Sequence, residues 1–378
     1  MAANARPYVT AAAAAGYQVL AADVFGDEDT LAASASSMVL EYGHNGFSLA
    51  AIRHELIPAL QRFGADMLLY GSGFEAQPEV LDVLAAQLPL VGNQAPVVKR
   101  CKDAHSFLTG CQALDIPVPD SCFNRELLED NDRQHWLYKE QGGSGGMHIQ
   151  LAAEAVDDGG YFQRKVPGVP VSLLFLASAQ GITPVGFQRQ LLAPLDSRLP
   201  YRYGGLVGPI KITGPAAEGL LKSAQLLAFE FGLRGLNSLD AMIDGDQYWI
   251  LEINPRLSAS LALYEMPHQW LQAHIDASLE HDVDWPSGTA GQPRANLVCY
   301  SPFDIEIPCR FNWPEWVVDK PLANSVVVKG APLCTVVAVG ESDGQAEELA
   351  RTRAVILNEM LKYIQTSGEE HESSHCRY

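Results

Sequence analysis

Glu252-Ile253-Asn254-Pro255-Arg256, twelve residues downstream of Asp240, is the stretch on which the fold of this chain turns. If residues 248–254 form a strand, side chains alternate between its faces, so Glu252 and Asn254 share one face while Ile253 enters the core. Residues 236–243 are equally strand-like, and Asp244-Gly245-Asp246 between the two runs is turn chemistry, which predicts a β-hairpin. A three-residue connection over 245–247 sets Asp240 opposite Glu252, whereas two or four residues would put them on different faces; the first register is the expected one. Asp240, Glu252 and Asn254 then supply hard oxygen ligands of the kind that hold Mg²⁺, with waters and substrate phosphates completing the octahedron. Arg256 adds a planar cation suited to a phosphoryl group or a carboxylate. Against this stands an ordinary acidic surface hairpin, with Arg256 ion-paired to a nearby acid.

Working outward, Trp136-Leu137-Tyr138-Lys139 reads as a strand that runs almost directly into Gln141-Gly142-Gly143-Ser144-Gly145-Gly146. Glycines at this density let backbone N–H groups turn toward an anion without Cβ obstruction, and Lys139 adds a point charge. The run is neither a P-loop nor the spaced dinucleotide fingerprint. Tyr161-Phe162-Gln163-Arg164-Lys165-Val166-Pro167-Gly168 is an edge-like strand stopped by Pro-Gly, a segment whose backbone around Lys165 and Val166 could read an adenine edge. Arg189, Arg202 and Lys211 are expected to be solvated or paired. His148 and His268 read as surface groups as readily as acid–base catalysts, and no Gly-x-Ser-x-Gly elbow occurs.

The 378 residues are 47% hydrophobic and 19% charged, ordinary for a globular chain of two or three domains. A net charge of -19 argues against nucleic-acid or anionic-membrane partners, which demand clustered Lys and Arg. With no long apolar run and no secretion signal, a cytoplasmic protein is expected. Cysteines at 101, 111, 122, 299, 309, 334 and 376 form no CxxC pair, so free thiols are expected rather than a disulfide framework or a zinc site.

The first hundred residues alternate short strands (18–22, 67–70, 88–91) with helices (48–63, 78–87), the beat of a parallel sheet with crossovers. The chain opens on a helix at 11–15 with no apolar strand ahead of it, which leaves the edge of that sheet open. A single helix is expected over 97–114, ended by Ile116-Pro117-Val118-Pro119. Another is expected over 215–231, with Leu220, Ala224, Leu227 and Phe231 on one face and Gly232 ending it. Late in the chain come a strand over 335–339 and a closing helix striped with Ala350, Ala354, Leu357, Leu361 and Ile364, then a polar, frayed tail from Glu369.

Taken in order, the α/β opening, Lys139 before the glycine run, the segment 163–168, Asp240 and the Glu-x-Asn-Pro-Arg element resemble the ATP-grasp superfamily of ligases. The stretch from Asp319-Lys320-Pro321 through Gly330-Ala331-Pro332 to Gly340-Glu341-Ser342 is similar to the C-terminal region of its biotin-carboxylase-related branch. The resemblance implies a mixed α/β and α+β protein: an N-terminal parallel-sheet domain (1–96), a two-lobed ATP-binding domain (97–292) and a small C-terminal mixed region (293–378). It implies ATP with Mg²⁺, or Mn²⁺ in its place, held by Asp240, Glu252 and Asn254. Lys139 would contact phosphate under a flap that includes Gly143, Ser144, Gly145 and Gly146, and Gln163, Arg164, Lys165 and Val166 would hold adenine. Arg256 would steady an acyl phosphate. Members usually carry another lysine shortly before the Ile-Pro turn; Lys102 is the nearest candidate, slightly too far upstream. Arg164 replaces an acid common in the crossing strand, and Ser172 lies near where a carboxylate normally grips ribose.

The implied activity is ATP-dependent ligation of a small-molecule carboxylate to an amine, with joining of glutamate to an aromatic amine in one-carbon-carrier biosynthesis suggested by family analogy alone. A homodimer is among the expected assemblies. Two other readings stay open: a bicarbonate-using carboxylase, disfavoured by the lack of an Ala-Met-Lys-Met biotinylation site, and a non-catalytic nucleotide-binding protein.

Overall fold

The computed structural model describes residues 1–155, 159–195, 199–286 and 291–375, with side chains described as far as residue 363. Its opening region is the expected α/β layer. Helix α1 (Arg6–Ala14) precedes the parallel pair β1 (Leu20–Asp23) and β2 (Ser36–Val39). Helical residues 49–63, with a π-helical turn at Ile52–Leu56, lead to β3 (Leu68–Leu69), and α2 (Glu79–Ala85) leads to β4 (Leu90–Val91), parallel to β3.

The opening of the chain differs from a bare helix. Residues 1–3 lie between β1 and β3: Ala2 N–H donates to Ala22 O (3.2 Å), Val24 N–H to Ala3 O (3.3 Å) and Gly71 N–H to Met1 O (2.9 Å). This strip makes backbone contacts that a first strand would make, and no side-chain pattern in three residues could have announced it.

The single helix expected over 97–114 is two helices, α3 (Ala95–Lys102) and α4 (Ala104–Ala113). Asp103 breaks the run with extended backbone (ψ 112°), and its carboxylate accepts Ser106 N–H at 2.8 Å. Aspartate is a favoured N-cap, and here the cap competes successfully with helix continuation. The break leaves Lys102 at the very end of α3.

A four-stranded antiparallel sheet follows, in the order β5 (Ser121–Cys122), β8 (Tyr161–Arg164), β6 (Trp136–Lys139), β7 (Ile149–Leu151). Its small core is Leu128, Tyr138, Ala152 and Phe162. The larger sheet begins with β9 (Val169–Ser178), β10 (Gly181–Leu192) and β11 (Tyr203–Ile210). Helix α5 (Pro215–Phe231) then leads to β12 (Gly235–Asp244) and β13 (Gln247–Asn254). Val171, Leu173, Phe175 and Ala177 of β9 pack on Leu220, Ala224, Leu227 and Phe231 of α5. Leu174 and Leu176 face the other way, toward α6 (Pro267–Ser278), α1 and Leu257. Covered on both faces, β9 needs apolar residues at every position, which is why 173–177 is an uninterrupted apolar run. Each large side chain so buried contributes about 1.5–3 kcal/mol.

Strands β14 (Arg294–Tyr300), β15 (Val317–Val318) and β16 (Pro332–Val339) continue the same eight-stranded sheet, whose order is β13-β12-β9-β10-β11-β14-β16-β15. The expected boundary at 292/293 therefore crosses one hydrogen-bonded sheet. Helix α7 (Asp343–His375) covers it with Ala350, Leu357 and Leu361, and continues through the stretch expected to fray as far as His375. Arg189 is paired with Glu347 (2.7 Å), and Arg202 stacks over Tyr300 while donating to Ala193 O and Gly330 O. The Asp319-Lys320 turn binds back to the opening region: Asp319 accepts from Arg6 and Asn4, and Lys320 pairs with Asp29 at 3.0 Å. The six cysteines among the described residues are free, and among those residues no helix is long and apolar enough to cross a membrane.

One buried group ties these layers to pH. His274 on α6 accepts Leu236 N–H at 2.8 Å, and burial drives its pKa down to about 3. Because the unfolded imidazole takes its proton near the ordinary pKa of about 6.5, unfolded chains bind protons first. This contribution to stability is complete above that pH and is lost by up to about 1.4 kcal/mol per pH unit as pH falls toward 3. Urea unfolding of a His274→Gln variant between pH 4.5 and 7 should show a shallower pH dependence than wild type; an identical slope in both proteins would refute the assignment.

Candidate active site

The hairpin places Asp240 opposite Glu252, and Ser238 opposite Asn254, but by a route the expected loop length missed. Asp244 pairs with Gln247 across a two-residue turn, Gly245-Asp246, with Gly245 at φ +59°. That turn alone would set Leu251 against Asp240. A β-bulge between Asp240 and Ala241 absorbs Leu251 and restores Glu252 to the face of Asp240. One extra residue flips every side chain beyond it, so the bulge aligns the two carboxylates.

Asn254 is oriented by its neighbours. Its amide nitrogen donates to Asp240 (3.1 Å) and Glu252 (3.3 Å), which turns its oxygen toward the Nζ of Lys102 at 2.8 Å. Lys102 Nζ also reaches Glu252 Oε2 at 3.0 Å. A cation thus already sits between the Glu252 carboxylate and the Asn254 amide oxygen, beside Asp240, as the donor set would require of a divalent metal site. Among the described residues no group of three His, Cys, Asp or Glu could hold a metal. Two carboxylates and one amide suit Mg²⁺, which draws the rest of its shell from phosphate and water, better than a metal needing a complete protein cage. The break at Asp103 is what delivers Lys102 here.

Charge at the site is uneven. Burial, reinforced by the nearby Glu252 charge, raises the Asp240 pKa, although Ser172 and Gln190 donate hydrogen bonds to its carboxylate. Burial would raise Glu252 as well, but Lys102, with Lys139, outweighs it and holds Glu252 low. Ser172, expected near ribose, is cross-strand from Asp240 and bonded to it. His148, for which a surface role seemed as fitting, is held neutral by burial, with its pKa down at about 4.

Lys139 is buried on β6 and donates to Gln163 Oε1 at 2.7 Å, with Glu252 and Asp240 nearby. Gln163 therefore faces the charged cleft. Arg164 points outward, paired with Asp132 at 3.2 Å and lying over Trp136, and Lys165 is exposed with its N–H bonded to His135 O. Any contact of Arg164 and Lys165 with adenine is accordingly through the backbone. Between β6 and β7 the glycine segment folds down over the cleft. Gly145 O accepts Tyr203 N–H at 2.9 Å, Gly146 (φ +71°) packs against the Tyr201 carbonyl, and Ser144 is hydrogen-bonded to Tyr42. A Cβ on Gly146 would overlap that carbonyl, so glycine is needed for both its backbone angle and its contact.

Arg256 is ion-paired, as the alternative reading had it, yet it remains at the cleft. Its Nε lies 2.6 Å from Glu75 Oε1, Nη1 donates to Leu257 O, and Nη2 approaches Asn254 Oδ1 at 3.5 Å. Glu75 was absent from the sequence-level site. Its carboxylate is buried and also accepts the Gly73 and Phe74 N–H groups. Its ordinary-looking surroundings in Gly73-Phe74-Glu75 carry no signal of a partner 181 positions away. Nearby, Asn93 donates to Pro255 O and Tyr70 OH to the same carbonyl, so the opening region clamps the loop after β13.

With this geometry established, comparison with known proteins adds a domain match over the central region. A family model described as an ATP-grasp domain matches residues 102–260. The chain carries an ATP-grasp domain. The matched span of this ATP-grasp domain begins at Lys102 and takes in the glycine segment, β8 and the β12–β13 hairpin. Solved structures share the wider fold. Biotin carboxylase from Campylobacter jejuni superposes with a TM-score of 0.68 at 13% identity, over 91% of this chain and 88% of that one. The biotin carboxylase domain dimer of Hydrogenobacter thermophilus 2-oxoglutarate carboxylase, in complex with MgADP, ADP and bicarbonate, gives 0.70 at 12% identity over 93% and 88%. An ADP complex of N5-carboxyaminoimidazole ribonucleotide synthetase gives 0.65 at 15% identity over 95% of each chain. At such identities the likeness establishes the ATP-grasp fold. No curated protein matches the chain in sequence.

Proposed function

We propose that this protein is an ATP- and Mg²⁺-dependent ligase that activates a small-molecule carboxylate as its acyl phosphate and transfers it to an amine. The observation that carries this reading is the convergence of Asp240, Glu252, Asn254, Lys102 and Arg256 in one cleft beneath the glycine flap. Asp240, Glu252 and Asn254 would hold the metal, which when bound neutralises phosphate charge and orients the transferring group. Lys139 would pair with phosphate, and Lys102 would shift from the carboxylates to the nucleotide as the metal takes its position. Gln163 to Val166 would border adenine. Flap N–H groups around Gly143 to Gly146 would cover the phosphates and exclude water, which otherwise hydrolyses an acyl phosphate. Arg256, held by Glu75, would receive the substrate carboxylate in a two-pronged contact.

The identity of acid and amine is open to experiment. The glutamate–aromatic amine pair is the first to try. Bicarbonate is the second acid, suggested by its presence with MgADP in the Hydrogenobacter structure. A cytoplasmic homodimer is the working assembly. ADP formation with Mg²⁺-ATP should rise at least about tenfold when the right acid and amine are both present, and remain near background with either alone. Stimulation by bicarbonate alone would replace the amide-ligase reading, and ADP formation unmoved by any acid, amine or bicarbonate would overturn ligase activity altogether.

A further inference from the structure

The glycine flap touches more than the cleft it covers. Gly142 stands at φ +69°, and a Cβ added to it would meet Ala76 Cα at 2.5 Å and the Glu75 carbonyl oxygen at 2.8 Å, so the flap lies directly on the Glu75-Ala76 backbone. Gly145 provides the comparison: its φ is +63°, yet a Cβ there would meet nothing within 4 Å. Conformation alone accounts for Gly145, whereas Gly142 must also be bare to make a contact. The segment it lands on is the one that aims Arg256. Glu75 Oε1 holds Arg256 Nε at 2.6 Å while Oε2 accepts Gly73 and Phe74 N–H at 2.7 and 2.9 Å, so a shift of the backbone over 73–76 shifts the guanidinium. Two further ties hold the same end of the flap. Glu140 Oε2 lies 3.3 Å from His44 Nε2, and Gln141 Oε1 accepts Ala104 N–H at 3.0 Å. His44 belongs to a short hairpin in which Tyr42-Gly43 pairs with Gly46-Phe47. Its Tyr42 and Phe47 rings pack edge to face, and Phe47 rests against Phe74, so the hairpin braces the loop that carries Glu75 and reaches the flap at once.

We propose that Gly142 is a positioning residue for the acid-activating step: by seating on the Glu75-Ala76 backbone it couples docking of the flap to the placement of the Glu75–Arg256 pair. What that pair receives rests on the ligase reading; the seat rests on geometry alone. The coupling acts in both directions. A carboxylate held by Arg256 steadies the Glu75 loop and so favours a docked flap, and a docked flap fixes Arg256 for the carboxylate. Water is then excluded most completely when acid and nucleotide are both bound, which is when an acyl phosphate forms and needs protection.

The test compares Gly142→Ala with Gly145→Ala, which bears a similar backbone cost without losing a seat, in the full chain with Mg²⁺ and a non-hydrolysable ATP analogue. Gly142→Ala should speed amide exchange at least about tenfold both over 143–147 and at Gly73 and Phe74, whereas Gly145→Ala should speed it in the flap alone. Reciprocally, Glu75→Gln should speed exchange over 143–147. In turnover, Gly142→Ala should raise the KM for the acid about tenfold more than the KM for ATP, and Gly145→Ala should move both by the same factor. Unchanged exchange at Gly73 and Phe74 in Gly142→Ala, or unchanged flap exchange in Glu75→Gln, overturns the coupling. Exchange that shows the seat in a protein whose wild type forms no ADP with any acid and amine overturns the ligase reading, and the acid role with it, while the seat stands.

Discussion

Glu252→Gln should lower Mg²⁺-dependent ADP formation roughly a thousandfold while the protein remains folded. The physical case rests on how the hairpin distributes charge. Asp240 is buried with its pKa raised, so Glu252, held ionised by Lys102 and Lys139, is the dependable negative charge of the pair. A glutamine there keeps size and hydrogen-bonding capacity but removes the charge that draws a divalent cation between the β12–β13 ribbon and the nucleotide. Folding should tolerate the change, because Lys102 retains Asn254 as a partner at 2.8 Å and the Glu252 side chain is partly open to solvent. Steady-state ADP assays across Mg²⁺ concentrations, with circular dichroism as the folding check, decide it. Wild-type turnover in a folded Glu252→Gln variant would remove the metal role.

The second large effect concerns Arg256. Arg256→Lys should reduce kcat for acid-stimulated turnover by about a hundredfold, since lysine keeps a positive charge but loses the planar fork. The lysine change is chosen over methionine because breaking a buried pair leaves an uncompensated charge, at a cost of about 3–5 kcal/mol. Glu75 sits 2.6 Å from Arg256 and uses its other oxygen on Gly73 and Phe74 N–H, so it aims the guanidinium from the opening region. Glu75→Gln should accordingly raise the KM for the acid more than it alters the KM for ATP. Full kcat in Arg256→Lys would show that the guanidinium only clamps the loop after β13.

Much of the architecture was legible because it rests on short-range pattern. The apolar stripe of α5 and its closing Gly232 mark a helix whose bounds, Pro215–Phe231, match those expected. Alternation in 236–254 announced the hairpin. The same short-range logic failed where two local preferences compete. At Asp103 a capping side chain won over helix continuation, and in the hairpin the turn was shorter than expected while a bulge at Leu251 compensated for it. In β8 the alternation of a strand turns Arg164 outward to Asp132 and Gln163 inward to Lys139.

By itself, the order of residues determined the alternation of elements, the chemistry available at each position and the family to which the central region is similar, since periodicity and turn residues act over a few positions. Tertiary structure alone decided that Lys102 enters the carboxylate pair, that Glu75 steers Arg256 and that residues 1–3 stand in for a strand. Those contacts join segments as far as 181 positions apart. Their partners are chosen by the packing of whole layers, and no local pattern encodes which distant side chain will arrive.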